Sequence, residues 1–321
     1  MSDLIGQLEK KLAEGEPFDR RDGCNILRAE NRHIPALFYL ADKIRRKYFE
    51  NDLALCSIVN AKSGSCSQDC SFCSQSVHHN TKIEQYDLLT NDRLREHYNQ
   101  VDDLPLAHFG IVTSGPQLSA GEVRKISEFI APLDGAASFC ASLGELSSEQ
   151  LEQLQRSGLE RYHHNLETAP SFFSEICTTH EYQSRVQTIR RAKQLGLEVC
   201  SGGIIGLGET LEQRVELALT LRELEVDSIP LNFLVPIAGT STENHQPLEP
   251  LEILKTTSMF RLLNPTREIK ICAGRNHLRD LQSMLFFAGA TGIMIGDLLT
   301  VAGRSVEKDL QMLKDLGFSG G

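Results

Sequence analysis

What is scarce in this chain narrows its function before any motif does. No apolar run approaches the ~20 residues that cross a bilayer, so no membrane partner is expected for the 321 residues. Basic residues are the minority charge, 33 Lys and Arg against 43 Asp and Glu, for a formal net charge of -10. Nucleic acid is excluded as the main partner, because phosphate binding needs basic patches. No Pro- or Gly-rich linker divides the chain, whose length suits one large α/β barrel or two modest domains. The opening stretch MSDLIGQLEKKLAEGE is acidic and amphipathic, unlike a secretion signal. A reducing, cytoplasmic location is therefore expected. There the nine cysteines read as metal ligands or catalytic groups rather than as disulfides.

What is present is a cysteine triplet, Cys66-Ser-Gln-Asp-Cys70-Ser-Phe-Cys73. Three thiolates at this spacing can hold three irons of a [4Fe-4S] cube and leave the fourth open. An open iron can chelate the amino and carboxylate groups of S-adenosylmethionine (AdoMet) and pass an electron to its sulfonium. Thiolates also suit zinc. The triplet has no second CxxC, but His78 and His79 follow it, so a Cys3His zinc knuckle is the rival metal reading. Buried apolar cysteine is the bland alternative, and it sits oddly in a Ser/Gln/Asp-rich loop.

Hydrophobic periodicity places the triplet in a fold. Residues 1–50 read as a helical extension, with Leu4, Leu8 and Leu12 on one face. Residues 51–321 read as strands alternating with helices. The expected strands are Leu53–Asn60, Ala107–Thr113, Ala136–Ser142, Arg161–Asn165, Glu198–Ile205, Ser228–Leu234, Glu268–Cys272 and Gly292–Ile295. Helices are expected between them at Ser119–Ile130, Ser148–Ser157, Tyr182–Leu195, Leu211–Leu224 and Leu278–Phe287, with Gly158, Gly196 and Gly289 ending three of the helices. Eight strands with helical crossovers predict an α/β fold, a TIM-type (β/α)8 barrel. The triplet then falls in the first βα loop, at the end of the barrel where chemistry is done.

Four further cysteines fall on alternate strands: Cys56 on the first, Cys140 on the third, Cys200 on the fifth and Cys272 on the seventh. Alternate strands fill one layer of a barrel interior. Core packing explains such a set in one way, and a second Fe–S cluster below the first in another. Arg275 follows Cys272 closely and would offset a cluster's negative charge. Cys24 and Cys177 read as structural.

The motifs together resemble the biotin synthase family. The resemblance runs from about Leu55 to Gly317. It is carried by Asn60-Ala61-Lys62-Ser63-Gly64 with the triplet and Gln75-Ser76, by Tyr162-His163-His164-Asn165-Leu166-Glu167-Thr168, by the run from Cys200 to Thr210, by Pro230-Leu231-Asn232-Phe233-Leu234, and by Ala273-Gly274-Arg275. The resemblance implies a sulfurtransferase that inserts sulfur between a methylene and a methyl carbon of dethiobiotin through an AdoMet-derived radical. It implies Cys66, Cys70 and Cys73 as ligands of the AdoMet-cleaving cluster, with Asn165, Glu167 and Arg185 beside AdoMet. It implies Asn165 and Asn232 on the ureido ring, where a carboxamide offers donor and acceptor. A flavodoxin- or ferredoxin-type electron donor and a homodimer are implied as well.

The chain departs from the family's pattern at the second cluster. Members hold a [2Fe-2S] cluster with three cysteines and one arginine. Cys140, Cys200 and Arg275 match that set, but Gly110 stands where the second-strand cysteine is expected. Cys272 and Cys56 stand where serines are common. The expectation is a rebuilt auxiliary cluster on Cys140, Cys200 and Cys272, of [4Fe-4S] type, with Cys56 or a non-protein sulfide at the remaining iron. A [2Fe-2S] cluster with Arg275 is the conservative version. His163 replaces a family asparagine. Three rivals are disfavoured. Hydrogenase-maturation or methylornithine-type relatives would not need both Cys140 and Cys200 with the Asn165/Asn232 pair. An enzyme thiolating tRNA or protein would be expected to carry a basic appendage. A non-enzymatic Fe–S carrier would not need the AdoMet constellation.

Overall fold

The computed structural model describes residues 4–133 and 137–318. Its strands are β1 (Ala54–Lys62), β2 (His108–Thr113), β3 (Ser138–Ser142), β4 (Leu159–His163), β5 (Glu198–Cys200), β6 (Gly203–Ile205), β7 (Ser228–Phe233), β8 (Glu268–Ile271) and β9 (Gly292–Met294). They run in the order β5-β4-β3-β2-β1-β9-β8-β7-β6, and a β5–β7 pairing closes the ring. All pairings are parallel. Seven expected strands are present, shifted by a residue or two at their ends; Ala136 lies outside the described residues.

The expected fifth strand, Glu198–Ile205, is broken into β5 and β6. Both halves keep one register against β7, Cys200 opposite Ser228 and Gly203 opposite Leu231. The break follows from Pro230, which has no N–H to give to a ladder. A Cβ on Gly202 would lie 1.9 Å from the Pro230 carbonyl oxygen, so only glycine fits there. Counting β5 and β6 as one, eight strands form the predicted (β/α)8 barrel.

Capping boxes at Ser119/Glu122, Ser147/Gln150 and Thr210/Gln213 start the helices Ala120–Ile130, Ser148–Arg156 and Leu211–Glu223. Gly158, Gly196 and Gly289 turn with positive φ where helices stop. The expected helix Leu278–Phe287 is instead a 3-10 segment, Arg275–Leu281, kinked at Arg279 (φ 51°), and a single turn, Met284–Phe287. Helix Pro250–Leu263 went unread because it is buried on nearly every side and shows little apolar periodicity. The N-terminal helices Leu4–Glu14, Arg20–Leu27 and Ile34–Phe49 bury Leu8, Ile26 and Leu37 in the same hydrophobic cluster as the barrel's outer face. Among the described residues no helix is long and apolar enough to cross a membrane.

Candidate active site

At the C-terminal mouth of the barrel a cavity of about 390 Å³ opens into the interior. Seven of the nine cysteines line it: Cys66, Cys70 and Cys73 from the loop after β1, and Cys56, Cys140, Cys200 and Cys272 from the strands below. Cys24 is buried in the helix Arg20–Leu27, away from the cavity.

The loop is shaped by its own backbone. Gly64 and Ser65 both take positive φ, 78° and 53°, and reverse the chain out of β1. The Cys66 N–H donates to Gln75 O, the Val77 N–H to Cys66 O and the Cys73 N–H to Cys70 O, which folds the triplet around itself. Gln75 Oε1 accepts from the Gly64 N–H and Ser114 Oγ donates to Gly64 O, tying the loop to β2. Burial pushes the Cys73 thiol up to about 11. Iron binding to such a thiol displaces its proton. His78 and His79 are spoken for by the Ser67 and Cys73 carbonyls at 3.1 and 2.9 Å, and neither lines the cavity. A Cys3His arrangement is therefore not formed.

Asn165, Glu167, Arg185 and Asn232 all line the cavity beside the triplet. The broken strand positions both carboxamides. Asn165 Oδ1 accepts from the Gly202 N–H at 3.1 Å, and Asn232 Nδ2 donates to Gly203 O at 3.3 Å. Asn232 Oδ1 also accepts from the Ala273 N–H at 3.1 Å. Glu167 holds φ at 67°, rare for a residue with a side chain, and its C=O accepts from the Ile204 N–H at 2.7 Å. Arg185 Nη1 donates to Asn165 O at 2.9 Å and pairs with Glu167 Oε1 at 3.5 Å. Two further polar atoms on the wall, Thr113 Oγ1 and His164 Nε2, are buried without a hydrogen-bond partner. Unpaired buried polar groups on a cavity wall fit a polar ligand.

Below the triplet, Cys140 and Cys272 each feel the charges of Cys56 and Cys200, and burial raises all four thiols. Their floor is cationic. Lys270 is 3% exposed, and its Nζ lies 3.1 Å from Glu268 and 3.3 Å from His108 Nδ1. Burial works to lower Lys270, but neighbouring Cys56 and Glu268 outweigh it and hold the ammonium charged. Arg161 donates to Glu268 at 2.8 Å and to Glu198 at 2.6 Å. Burial holds His108 neutral, at about 3, and His163, which also lines the cavity, at about 4.

Arg275 is placed elsewhere than the sequence reading expected. Its guanidinium faces Asp309 on the helix Val306–Asp315, at 2.5 and 3.2 Å, and also donates to Gln282 and Met294 O. It does not line the cavity. At the floor beneath the strand cysteines Lys270 and Arg161 are the cations, and sequence reasoning missed both. The signal for Lys270 was parity: it stands two residues before Cys272, which lies one residue past the end of β8, and so on the same face. At Gly110, a Cβ would meet Ile58 Cγ2 at 2.9 Å, so the space a side chain would need is already taken. Cys177, read from the sequence as structural, lies against the triplet. Its sulfur lies 3.8 Å from that of Cys70 and 2.9 Å from His180 Nδ1. The Cys70 contact, the largest effect on Cys177, helps bring it down to about 7.

The cavity thus presents soft sulfur donors at two levels, with carboxamides and a carboxylate between, which fits Fe–S clusters and a polar small molecule. The radical SAM superfamily model matches residues 62–221, and the biotin and thiamin synthesis associated domain matches 230–319. The chain is 47% identical over 307 residues to a biotin synthase of Maridesulfovibrio salexigens, covering 95% of this chain and 94% of that one. It is 46% identical to a biotin synthase of Geobacter metallireducens, covering 98% of this chain and 97% of the relative. Among solved structures it resembles methylornithine synthase (PylB), with TM-score 0.85 and 20% identity over 98% of this chain and 97% of that one. The hydrogenase maturase HydG from Carboxydothermus hydrogenoformans gives TM-score 0.83 at 17% identity, over 98% of this chain and 78% of that one. At those identities the two structures speak for the fold alone. With both family models in place and relatives matching almost end to end, the chain belongs to the biotin synthase family of radical AdoMet enzymes.

Proposed function

We propose that this protein makes biotin from dethiobiotin by AdoMet-dependent sulfur insertion, with residues at two levels of one cavity dividing the work. The observation that carries this reading is that both cysteine sets open onto the same 390 Å³ space, with Asn165 and Asn232 on its wall. Cys66, Cys70 and Cys73 are assigned to a [4Fe-4S] cluster, and Cys140, Cys200 and Cys272 to an auxiliary Fe–S cluster, with Cys56 at its edge. Lys270, rather than Arg275, is assigned as the cation that offsets that cluster's charge. When bound, the upper cluster with AdoMet supplies a carbon-centred radical able to take hydrogen from an unactivated C–H bond, and the lower one supplies sulfide.

The chain's own residues hold and orient. Asn165 and Asn232 each spend one hydrogen bond on the backbone at the strand break, which fixes the amide planes that face the ureido ring. Glu167, aimed by its left-handed backbone, accepts from ribose hydroxyls. Arg185 anchors Asn165 and Glu167 and offers its remaining N–H groups to a carboxylate. The apolar wall formed with Val112, Ile204 and Phe233 keeps water from a reactive carbon. An external flavodoxin- or ferredoxin-type donor, a homodimer and a cytoplasmic location belong to the same proposal. Anaerobic turnover of iron- and sulfide-reconstituted protein with dethiobiotin, AdoMet and reductant tests it. Biotin is the expected product, and 5′-deoxyadenosine without biotin would assign the chain another substrate.

A further inference from the structure

Outside the two cysteine sets stands a third group, Cys177 with His180 and Asp69, packed against Cys70. The two segments that carry Cys70 and Cys177 are stitched together. The Ser71 N–H donates to Ile176 O at 2.8 Å, and the Asp69 carboxylate accepts from the Thr178 and Thr179 N–H groups at 2.9 and 3.2 Å. The sulfur–sulfur approach is therefore built by the fold, not by a chance rotamer. Among the described residues Cys70 makes no hydrogen bond to the sulfurs of Cys66 or Cys73, its neighbours in sequence.

A mononuclear metal on Cys70, Cys177 and His180 is the first use such a group suggests, and the hydrogen bonds speak against it. Arg185 Nε, a donor only, gives its N–H to His180 Nε2 at 2.9 Å. The neutral imidazole then carries its proton on Nδ1, directed at the Cys177 sulfur 2.9 Å away. That nitrogen has no lone pair to offer a metal. It donates instead to the Cys177 sulfur, whose own S–H is directed at Asp69 Oδ1 3.1 Å away.

The geometry points to a disulfide site: in the cluster-free protein, Cys70 and Cys177 form a reversible bond under peroxide. The 3.8 Å gap closes to the roughly 2 Å of a disulfide by movement of the Cys70 loop, which has no regular secondary structure. Hydrogen peroxide is the oxidant. Its O–O bond breaks as one sulfur becomes a sulfenic acid and a first water leaves. The second sulfur attacks, the S–S bond forms and a second water leaves, so two thiols and one peroxide give one disulfide and two waters. A small dithiol reverses the step by exchange. The bond diverts Cys70 from the sulfinic and sulfonic states that no thiol reverses.

The bond stands on the contact alone; its consequence for iron loading rests on Cys70 being a cluster ligand, as proposed above. The test strips iron from the full-length protein with a chelator, adds stoichiometric hydrogen peroxide without reductant, and maps alkylated, non-reduced peptides by mass. A Cys70–Cys177 cross-linked peptide is expected. It is lost in Cys177→Ser, where one equivalent of peroxide leaves Cys70 as a sulfenic acid, trapped with dimedone before digestion. No cross-link in the wild type, or pairing of Cys70 with Cys66 or Cys73 instead, would overturn the proposal, and neither reading requires the variant to fold. Iron uptake by the cross-linked protein, before and after dithiothreitol, is the second arm. Uptake restored only after reduction is expected. Uptake unaffected by an observed cross-link would remove Cys70 from the cluster ligands while leaving the disulfide in place.

Discussion

The two cysteine sets in the cavity are held by different means. Cys66, Cys70 and Cys73 ride on a loop that is closed by its own backbone hydrogen bonds and reversed by Gly64 and Ser65. Cys56, Cys140 and Cys200 are locked by strand register, and Cys272 by its N–H bond to Leu231 O just past β8. A loop set tolerates a bound molecule that comes and goes. A strand set sits over a salt-bridged floor, its backbone held by the register of the sheet. Under the proposed function, turnover at the upper level is exchange of AdoMet, and the lower level changes its sulfur content on ligands fixed by strand register.

Removing a loop cysteine is expected to have the largest effect. Cys70→Ala should reduce 5′-deoxyadenosine formation to background, read by chromatography of the anaerobic reaction. The lower set should separate cleanly: Cys140→Ala or Cys200→Ala should keep AdoMet cleavage and lose biotin, whereas loss of both activities would mean the two levels are one unit. Iron analysis and Mössbauer spectra of the Cys66/Cys70/Cys73 triple alanine variant sharpen the same division, since an Fe–S signal should remain on the strand cysteines. Next in size, Asn232→Ala removes a carboxamide anchored at the strand break. A drop in kcat/KM for dethiobiotin of about 10- to 100-fold, the cost of unpaired polar groups, is expected with AdoMet binding unchanged.

At the floor the readout is stability rather than turnover. Lys270→Met leaves Glu268 with Arg161 alone, and urea unfolding should register about 3 kcal/mol, typical of breaking a buried ion pair. The mildest probe is pH. His108 and His163 are held near 3 and near 4 by burial, below the 6.5 of a free imidazole. The unfolded chain therefore takes up protons that the folded one refuses, and stability falls as pH falls. Their contribution is intact above about pH 6.5 and erodes toward pH 4 and 3. The urea midpoint of the cluster-free protein should be lower at pH 5 than at pH 7; an unchanged midpoint would mean these rings stay solvated.

Much of this division was readable from the chain. CxxxCxxC is a local spacing, and its place after β1 needed only strand periodicity. The alternate-strand cysteines were also legible, because barrel parity is a rule about sequence position. What was not legible depended on which way a side chain turns. Arg275 and Lys270 are five residues apart, and only the end of β8 and the kinked 3-10 segment decide that the lysine enters the barrel and the arginine turns to Asp309. Cys177 was hidden for another reason: 107 residues separate it from Cys70 in the chain, and only the fold brings its segment against Asp69, Cys70 and Ser71.

The packing at Gly110 has a consequence for how such a cavity can change over generations. The methyl group of Ile58 fills the volume a side chain at 110 would enter. A cysteine introduced at 110 alone would collide, and a smaller residue at 58 alone would leave a void beside the strand cysteines. Each single step is disfavoured, whereas the pair together is not. Two ligand arrangements of one barrel would then be separated by a fitness valley only two substitutions wide. Lineages on either side would keep the arrangement they inherited, whichever served chemistry better.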